Sequence, residues 1–350
     1  MDRDLAKATM GRLFDMTSSA AVMAVLGVVD DTGLLGHLQG AGPLTIEALA
    51  ERSGLEHRYL EELTATLVAA QLLIWDPAAG TVELADEVAA VLADESSPYF
   101  MGGWTQILQG LYRAVPGVAA ACAEGGGVPY DAYGDYMVQG ISRANSPGMR
   151  LLLTRRWLAA VPGLAERLDA GIRVADVGCG AGTAVLTMAR EYPNSEITGF
   201  DVSKRSIESA RAAAAEAGLG NARFEHAGGE ALPDDPGFDL VTAFDVVHDL
   251  VDPKAVLARI REVLREDGLF FMVEPDVEPE LEQNVNPGGA LLYAMSTLHC
   301  MTVSLAHGGE GLGAAWGPAK AERFCGEAGF SRFERLDVPN PMNAFYAIRP

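Results

Sequence analysis

The sequence predicts an α/β protein in which a doubly wound, mostly parallel sheet follows an N-terminal all-helical, winged-helix domain. Strand-like and helix-like patterns alternate from about residue 171 to residue 350. A β-prone run ending in the acidic residue Asp176 leads into a glycine-rich loop and then an amphipathic helix over 184–191. Apolar residues in the N-terminal third recur at helical spacing instead. We therefore expect a catalytic sheet over 171–350, a helical linker or substrate lid over 98–170 and a separate domain over 1–97.

The glycine-rich loop is the strongest local signal. Glycines alternate in it, because Gly178, Gly180 and Gly182 follow the acidic residue Asp176. Glycine lets the backbone turn tightly and lets a ligand lie against it, and the following helix N-terminus offers free N–H groups. The next predicted strand ends at Asp201, where a nucleotide-type fold holds ribose hydroxyls. We expect these residues and the neighbouring Val202 to bind a cofactor.

This spacing, G-x-G-x-G after an acid, resembles motif I of the class I S-adenosylmethionine-dependent methyltransferases. The resemblance implies a Rossmann-like methyltransferase sheet and S-adenosylmethionine as the cofactor. It also implies an acid for the adenine amino group at position 228, but glycine stands there. Gly229 and Glu230 are then the expected contacts in this loop, with Glu230 as a replacement. Phe244, near the adenine or the methyl group, and Asp245 complete the expected cofactor site.

Composition limits the partners. The chain has 350 residues, and 48 Asp and Glu against 26 Lys and Arg give a formal net charge of −22. Such a chain repels nucleic acid and anionic membranes, because both are bound by neutralising phosphate. Its 4 cysteines are scattered, which suggests free thiols in a reducing compartment. The acidic N-terminus does not look like a signal peptide, so we expect a cytoplasmic protein with a small-molecule substrate.

Residues 1–97 show helices followed by a helix, turn, helix and wing pattern. The helix expected over 57–73 would be the recognition helix of a DNA-binding domain. It carries Glu61 and Glu62 against Arg58, without the base-reading residues such a helix needs. We interpret the domain as a dimerisation module, as in small-molecule methyltransferases with an N-terminal winged helix, and expect a homodimer.

Residues 98–170 are expected to be helical, with breaks at Pro116-Gly117, over 125–130 and at 146–148. Aromatic residues cluster in this segment. In the methyltransferases that the chain resembles, such helices cover the substrate pocket. Trp104 and Tyr133 are therefore candidate pocket walls, and Arg143 is a candidate for binding a substrate carboxylate.

The catalytic strands are expected in order at 195–200, 222–226, 238–245 and 268–276, with two antiparallel runs within 330–348. An insertion over 290–316 reads as a helix that returns over the strand ends. Ligands bind at the carboxyl ends of strands in such sheets. His248 and Asp249 follow the fourth strand, and His299 lies midway along the insertion, so the fold could bring the three together.

Three interpretations of His248, Asp249 and His299 stay open from the residues alone. Two histidines and a carboxylate form a ligand set for non-haem iron or catalytic zinc. Alternatively, His248 is a general base with its pKa tuned by Asp249, and no metal is involved. The third interpretation is structural, with His299 as a hydrogen-bonded core residue and His248 in a turn.

The segments around His248-Asp249 and Leu298-His299-Cys300 resemble those of the metal-dependent 2-oxo acid C-methyltransferases of nonribosomal peptide pathways. These enzymes, of the mannopeptimycin phenylpyruvate type, serve antibiotic biosynthesis. That resemblance implies Fe or Zn held by His248, Asp249 and His299, and methylation at the β-carbon of a small 2-oxo acid. The alternative is a metal-free O-methyltransferase acting on a phenolic or enolic small molecule, with His248 as the base.

Overall fold

The computed structural model describes residues 1–233 and 237–350, which form two compact units. Unit 1 comprises residues 1–112 and 134–147, and unit 2 comprises residues 113–133 and 148–350. The domain boundaries expected from the sequence stay predictions.

Unit 1 contains the winged-helix elements. Its core packs leucines from successive helices, including the buried Leu34, Leu49, Leu60 and Leu67. Thr45 caps α3 by accepting from the Ala48 N–H, and Gly54 ends that helix in the left-handed conformation. The elements are α1 (Arg3–Asp31), α2 (Leu34–Leu38), α3 (Ile46–Ser53), α4 (His57–Ala69), β1 (Ile74–Asp76), β2 (Thr81–Glu83) and α5 (Asp86–Leu92). β1 and β2 pair antiparallel as the wing.

Two expected helix breaks are wrong. α6 (Gly103–Glu124) runs through Pro116, and α7 (Asp135–Leu151) runs through Pro147. The adjacent glycines serve packing, since a Cβ on Gly117 would lie 2.9 Å from Val128 Cγ2. A Cβ on Gly148 would lie 2.8 Å from Trp157 Cη2. The expected break over 125–130 is confirmed, because Gly125 and Gly126 have positive φ after the end of α6.

Unit 2 is built on a 7-stranded sheet in the order β5-β4-β3-β6-β7-β9-β8. All neighbours pair parallel except β7 with β9 and β9 with β8, so the antiparallel end expected from the sequence is confirmed. The strands are β3 (Arg173–Val177), β4 (Glu196–Asp201), β5 (Ala222–His226), β6 (Phe238–Phe244), β7 (Leu264–Pro275), β8 (Arg332–Leu336) and β9 (Asn343–Arg349). The strand order reverses at β3, which makes a ligand crevice at its carboxyl end.

Helices cover both faces of the sheet with two separate hydrophobic clusters. They are α8 (Leu164–Ala170), α9 (Thr183–Glu191), α10 (Lys204–Glu216), α11 (Pro253–Val263), α12 (Pro287–Met295), α13 (Met301–Ala306) and α14 (Pro318–Glu327). A π-helical turn, Ser296–Cys300, joins α12 to α13. The insertion expected to be helical is therefore helical over most of its length.

Two helical stretches, Arg3–Asp31 and Pro287–Ala306, are long and apolar enough to cross a membrane by length and composition. Core helices of water-soluble proteins pass the same test. The expected absence of a membrane partner stays a prediction.

Candidate active site

The glycine loop between β3 and α9 forms an open cradle. Gly178, Gly180 and Gly182 all have positive φ, at 69°, 53° and 82°. A Cβ on Gly178 would lie 2.5 Å from Val246 Cγ2, whereas nothing lies within 4 Å of a Cβ position on Gly180. Asp201 fixes the loop, because its Oδ2 accepts from the Gly180 N–H at 2.8 Å. The loop therefore leaves space above Gly180 beside a carboxylate at the end of β4.

Asp176 lies at the end of β3 under this loop and is 1% exposed. Thr242 stands opposite it on β6 and donates its hydroxyl to Asp176 Oδ1 at 2.6 Å. Burial raises the pKa of Asp176 to about 7, against the opposing effect of that hydrogen bond. Asp176 is thus a buried acid that holds its proton more tightly than a surface aspartate.

The loop after β5 brings the carboxylate of Glu230 next to Gly228. A Cβ on Gly228 would lie 2.3 Å from Glu230 Oε1, so the Glu230 side chain occupies the space beside Gly228. Gly229 is buried, and Val202 after β4 is 73% exposed. Phe244 is 9% exposed and packs on Trp157 and Phe271, as a core residue would. The cofactor contacts expected of these residues stay predictions.

The chain leaves β6 through a strained residue. Asp245 adopts φ 55°, in the left-handed region that non-glycine residues rarely occupy. Asn343 on β9 donates its amide to Asp245 Oδ1. Desolvation raises the pKa of Asp245 to about 7, with His248 acting in the opposite direction. The turn that follows, Val247–Asp249, is a single 3₁₀ turn, so His248 and Asp249 are not restricted to opposite faces of a strand.

His248 belongs to a buried network centred on Glu274, near the end of β7. His248 Nδ1 lies 2.6 Å from Glu274 Oε2, which also accepts from the Trp316 indole at 3.0 Å. Glu274 Oε1 accepts from the Val247 N–H at 2.9 Å. His248 is 4% exposed and Glu274 1% exposed. This network fixes the imidazole ring. Because a carboxylate accepts, Nδ1 carries a proton and donates it in a hydrogen bond to Glu274.

The charges around His248 favour its protonated form. Burial lowers the pKa of His248, but Glu274 and then Asp249 outweigh it and raise that pKa well above the ordinary value. Asp249 Oδ1 lies 3.3 Å from His248 Nε2, yet makes no hydrogen bond with it or with any other described group. The Nε2 edge of His248 therefore faces a carboxylate oxygen at ion-pair distance that accepts no hydrogen bond.

His299 lies in the π-helical turn between α12 and α13. Single π turns inside helices occur often at functional sites. The ring of His299 is 3% exposed and stands edge-on to Tyr133 and Tyr130, with ring centroids 5.0 Å and 5.5 Å away. Its Nε2 has no hydrogen-bond partner among the described residues. Burial lowers the pKa of His299, although Asp249 acts against this.

Cys300 lies close to His248 and Asp249, a position that was not expected from the sequence. One donor atom from each of His248, Asp249 and Cys300 lies within 4.8 Å of the other two. His299, the expected third metal ligand, is not part of this closest group. Burial raises the pKa of the Cys300 thiol to about 12, and Asp249 acts in the same direction.

The expected substrate residues divide between the two units. Tyr133 lies in unit 2 against His299, and its hydroxyl donates to the Leu298 carbonyl at 2.5 Å. Trp104 lies in unit 1 and is partly buried. Arg143, also in unit 1, bonds Asp30 through both terminal nitrogens and Glu95 through Nε. Arg143 therefore already forms ion pairs within unit 1, and its expected role with a substrate carboxylate stays a prediction.

The comparisons with known proteins agree with this architecture. Residues 168–313 match the family described as "Methyltransferase domain", and residues 18–94 match "Rv2258c-like winged HTH domain". The "Uncharacterized methyltransferase YcgJ" of Bacillus subtilis is 34% identical over 118 residues, 33% of this chain and 46% of that protein. The "Ubiquinone biosynthesis O-methyltransferase" of Aromatoleum aromaticum is 26% identical over 182 residues, 51% of this chain and 73% of that protein. The chain thus spans less than half of YcgJ.

Solved structures match over nearly the whole chain. The mitomycin 7-O-methyltransferase MmcR has a TM-score of 0.72 and 16% identity, covering 99% of this chain and 100% of that one. Human N-acetylserotonin methyltransferase in complex with S-adenosylmethionine has a TM-score of 0.71 and 21% identity, with 97% of both chains covered. CalO1, a methyltransferase in calicheamicin biosynthesis, has a TM-score of 0.70 and 20% identity over 100% of both chains. The predicted fold class is confirmed.

Proposed function

We propose that this chain methylates a hydroxyl oxygen of a phenolic or enolic small molecule. It carries a class I S-adenosylmethionine-dependent methyltransferase domain behind a winged helix-turn-helix domain. The observation that carries the proposal is the buried His248–Glu274 pair at the carboxyl end of β6. A carboxylate on Nδ1 leaves Nε2 directed away from Glu274, the arrangement of an oriented general base. Two of the similar proteins reported above, the A. aromaticum protein and the structurally similar MmcR, are named O-methyltransferases.

The loop residues fit the proposed cofactor. A Cβ would clash at Gly178 and Gly182, and the space beside Gly180 is open, which suits a ligand lying against the loop. We assign Asp201, whose Oδ2 accepts from the Gly180 N–H, to the ribose hydroxyls. We assign Glu230, whose carboxylate lies beside Gly228, to the adenine amino group. When bound, S-adenosylmethionine supplies an electrophilic methyl group on its sulfonium and departs as S-adenosylhomocysteine.

His248 handles the proton of the acceptor hydroxyl. Its Nε2 takes that proton as the oxygen lone pair forms the new bond to carbon, and Glu274 stabilises the resulting imidazolium. The single hydroxyl proton is shared between Nε2 and Asp249 Oδ1, which lie 3.3 Å apart, before Nε2 takes it. The raised pKa makes His248 a strong proton acceptor, but only its neutral form can accept the proton. The rate of methylation should therefore increase as pH rises through that pKa.

A second candidate is metal-assisted C-methylation at the β-carbon of a 2-oxo acid. The observation in its favour is the close group of donor atoms from His248, Asp249 and Cys300. Glu274 on His248 Nδ1 is also the outer-shell carboxylate that metal-bound histidines usually have. A bound Fe or Zn ion would act as a Lewis acid that acidifies the carbon next to the ketone. His299, with an unpaired Nε2, would be a further ligand.

One experiment separates the two candidates. The full chain is incubated with S-adenosylmethionine carrying an isotope-labelled methyl group, simple phenols or enolisable 2-oxo acids, and either a chelator or none. Labelled phenol ethers that form in the chelator and disappear in His248→Gln support the O-methyltransferase. His307→Gln, at an exposed histidine, is the matched control. Labelled 2-oxo acid that forms only without the chelator refutes the main proposal in favour of the second.

We also propose that unit 1 is a homodimerisation module. α1 exposes a set of large apolar side chains, Leu5, Met10, Leu13, Phe14 and Met16, each between 59% and 73% exposed. Light scattering of the wild-type chain should give a dimer, and Phe14→Glu should weaken it. A monomeric wild-type chain would refute this assignment.

A further inference from the structure

We propose that His299 and Asp249 select acceptors that carry two oxygens on adjacent carbons, such as a catechol or an enediol. This inference rests on the proposed function, and it assigns His299 to substrate recognition. Its basis is two unpaired polar atoms in the same buried cluster, Asp249 Oδ1 and His299 Nε2.

Such atoms are few. Among the buried side-chain nitrogen and oxygen atoms that the structure describes in unit 2, these two lack a hydrogen-bond partner. A buried polar group without a partner is costly, so native proteins pair nearly all of them or reserve them for a ligand. Cys300, the next residue after His299, has its sulfur within 4.8 Å of a carboxylate oxygen of Asp249, so the two residues belong to one cluster. They therefore offer a ligand two polar contacts in one place.

The chemistry of the two atoms defines the group that would satisfy them. A carboxylate oxygen accepts only, so the acceptor must present a hydroxyl to Asp249. That position adjoins His248 Nε2, which makes this hydroxyl the one to be methylated. A neutral imidazole nitrogen either donates or accepts, and a second hydroxyl or a carbonyl oxygen would pair with it. An acceptor with a single oxygen would leave His299 Nε2 unpaired.

The surrounding residues hold the His299 ring in one position. The rings of Tyr130 and Tyr133 stand at 66° and 76° to the His299 ring and hold it in place. The segment that carries them is tied down, because the Val128 N–H donates to Thr302 Oγ1 at 3.0 Å. Gly127 lies so close to α13 that a Cβ would meet the Thr302 carbonyl. The segment with Tyr130 and Tyr133 is therefore firmly positioned beside the His299 ring.

The test compares catechol with phenol in the full chain. All reactions contain a chelator, so that no metal accounts for a preference. We expect kcat/KM for catechol to exceed that for phenol by roughly 10- to 100-fold, the range for leaving one buried polar group unpaired. His299→Phe should reduce this preference to within a few-fold, while His299→Gln, which keeps an amide donor, should restore part of it. His307→Phe is the matched control at an exposed histidine.

Affinity for S-adenosylhomocysteine shows whether the variants are folded, and it should stay within a few-fold of the wild type in each. Equal kcat/KM for catechol and phenol in the wild type, or an unchanged preference in His299→Phe, overturns the inference while leaving the proposed function intact. If neither compound is methylated, the proposed function fails for these acceptors, and calorimetric binding to the chain saturated with S-adenosylhomocysteine decides the inference. Tighter binding of catechol that depends on His299 supports it, and equal binding refutes it.

Discussion

Replacing Glu274 with glutamine removes the charge at the centre of the buried network without changing its shape. The carboxylate pairs with the Val247 N–H, His248 Nδ1 and the Trp316 indole. A glutamine has one accepting oxygen, and its NH₂ group would face a donor. Removing one partner of a buried ion pair costs about 3–5 kcal/mol, and we expect Glu274→Gln to lower the free energy of unfolding by that amount. Glu278→Gln, at an exposed site, is the matched control.

The pH dependence of this loss has a definite sign. Glu274 raises the pKa of His248, so the pair contributes fully below the unfolded histidine pKa of about 6.5 and is lost as pH rises through the raised value. The difference in stability between wild type and Glu274→Gln should therefore be largest near pH 6 and smaller at higher pH. Denaturant unfolding at several pH values measures this difference in stability. Hydrogen exchange of the Val247 amide reports on the same network locally.

Catalysis provides the second readout for Glu274→Gln. Losing the group that orients and stabilises the base should reduce kcat by roughly 10²- to 10⁴-fold. The pH midpoint of activity should move to lower pH, because His248 loses the carboxylate that raises its pKa. A variant with wild-type kcat, or with a stability loss that does not change with pH, would refute the role given to the pair.

Three further predictions concern the cofactor loop and the strained turn. Asp176→Asn removes a group whose pKa is raised to about 7, so its ionisation lowers stability as pH increases from about 4 through 7. Relative to wild type, the variant should gain about 3 kcal/mol between pH 5 and pH 8 in urea unfolding, and a gain that does not change with pH would contradict the raised pKa. Gly178→Ala should cost more stability and cofactor affinity than Gly218→Ala, since both positions have positive φ but a Cβ on Gly178 alone meets Val246. Equal effects of the two alanines would contradict the cradle. Asn343→Ala leaves Asp245 without its amide donor and should cost about 1–3 kcal/mol in denaturant unfolding, whereas no loss would mean that the amide does not hold the turn.

The sequence contains enough information for the sheet because its signals are local. Glycine spacing, strand-ending acids and apolar runs identified β3, β4, β5 and β6 close to their observed ends. Helix ends were harder to predict. Pro116 and Pro147 lie inside helices, and the glycines that follow them pack closely against Val128 and Trp157. Such tertiary packing overrides local propensity, which therefore predicted breaks at both places.

The site was only partly predictable for a related reason. His248, Asp249 and His299 were found by their place at strand ends and in an insertion. Glu274 ends a strand that was predicted, yet its bond to His248 depends on the pairing of β6 with β7. Cys300 and Tyr130 approach the histidines through a π turn and a 3₁₀ turn, which have no period visible in the sequence. The ion pairs of Arg143 with Asp30 and Glu95 could not be predicted, because these partners are far away in sequence.

The central claim is that the methyl group goes to oxygen with His248 as the proton acceptor. The most direct measurement is the carbon NMR spectrum of the product made from catechol with methyl-labelled S-adenosylmethionine in the presence of a chelator. The account predicts a single labelled resonance in the methoxy region, absent with His248→Gln. A labelled resonance in the carbon-bound methyl region, or a methoxy product that forms unchanged in His248→Gln, would contradict it.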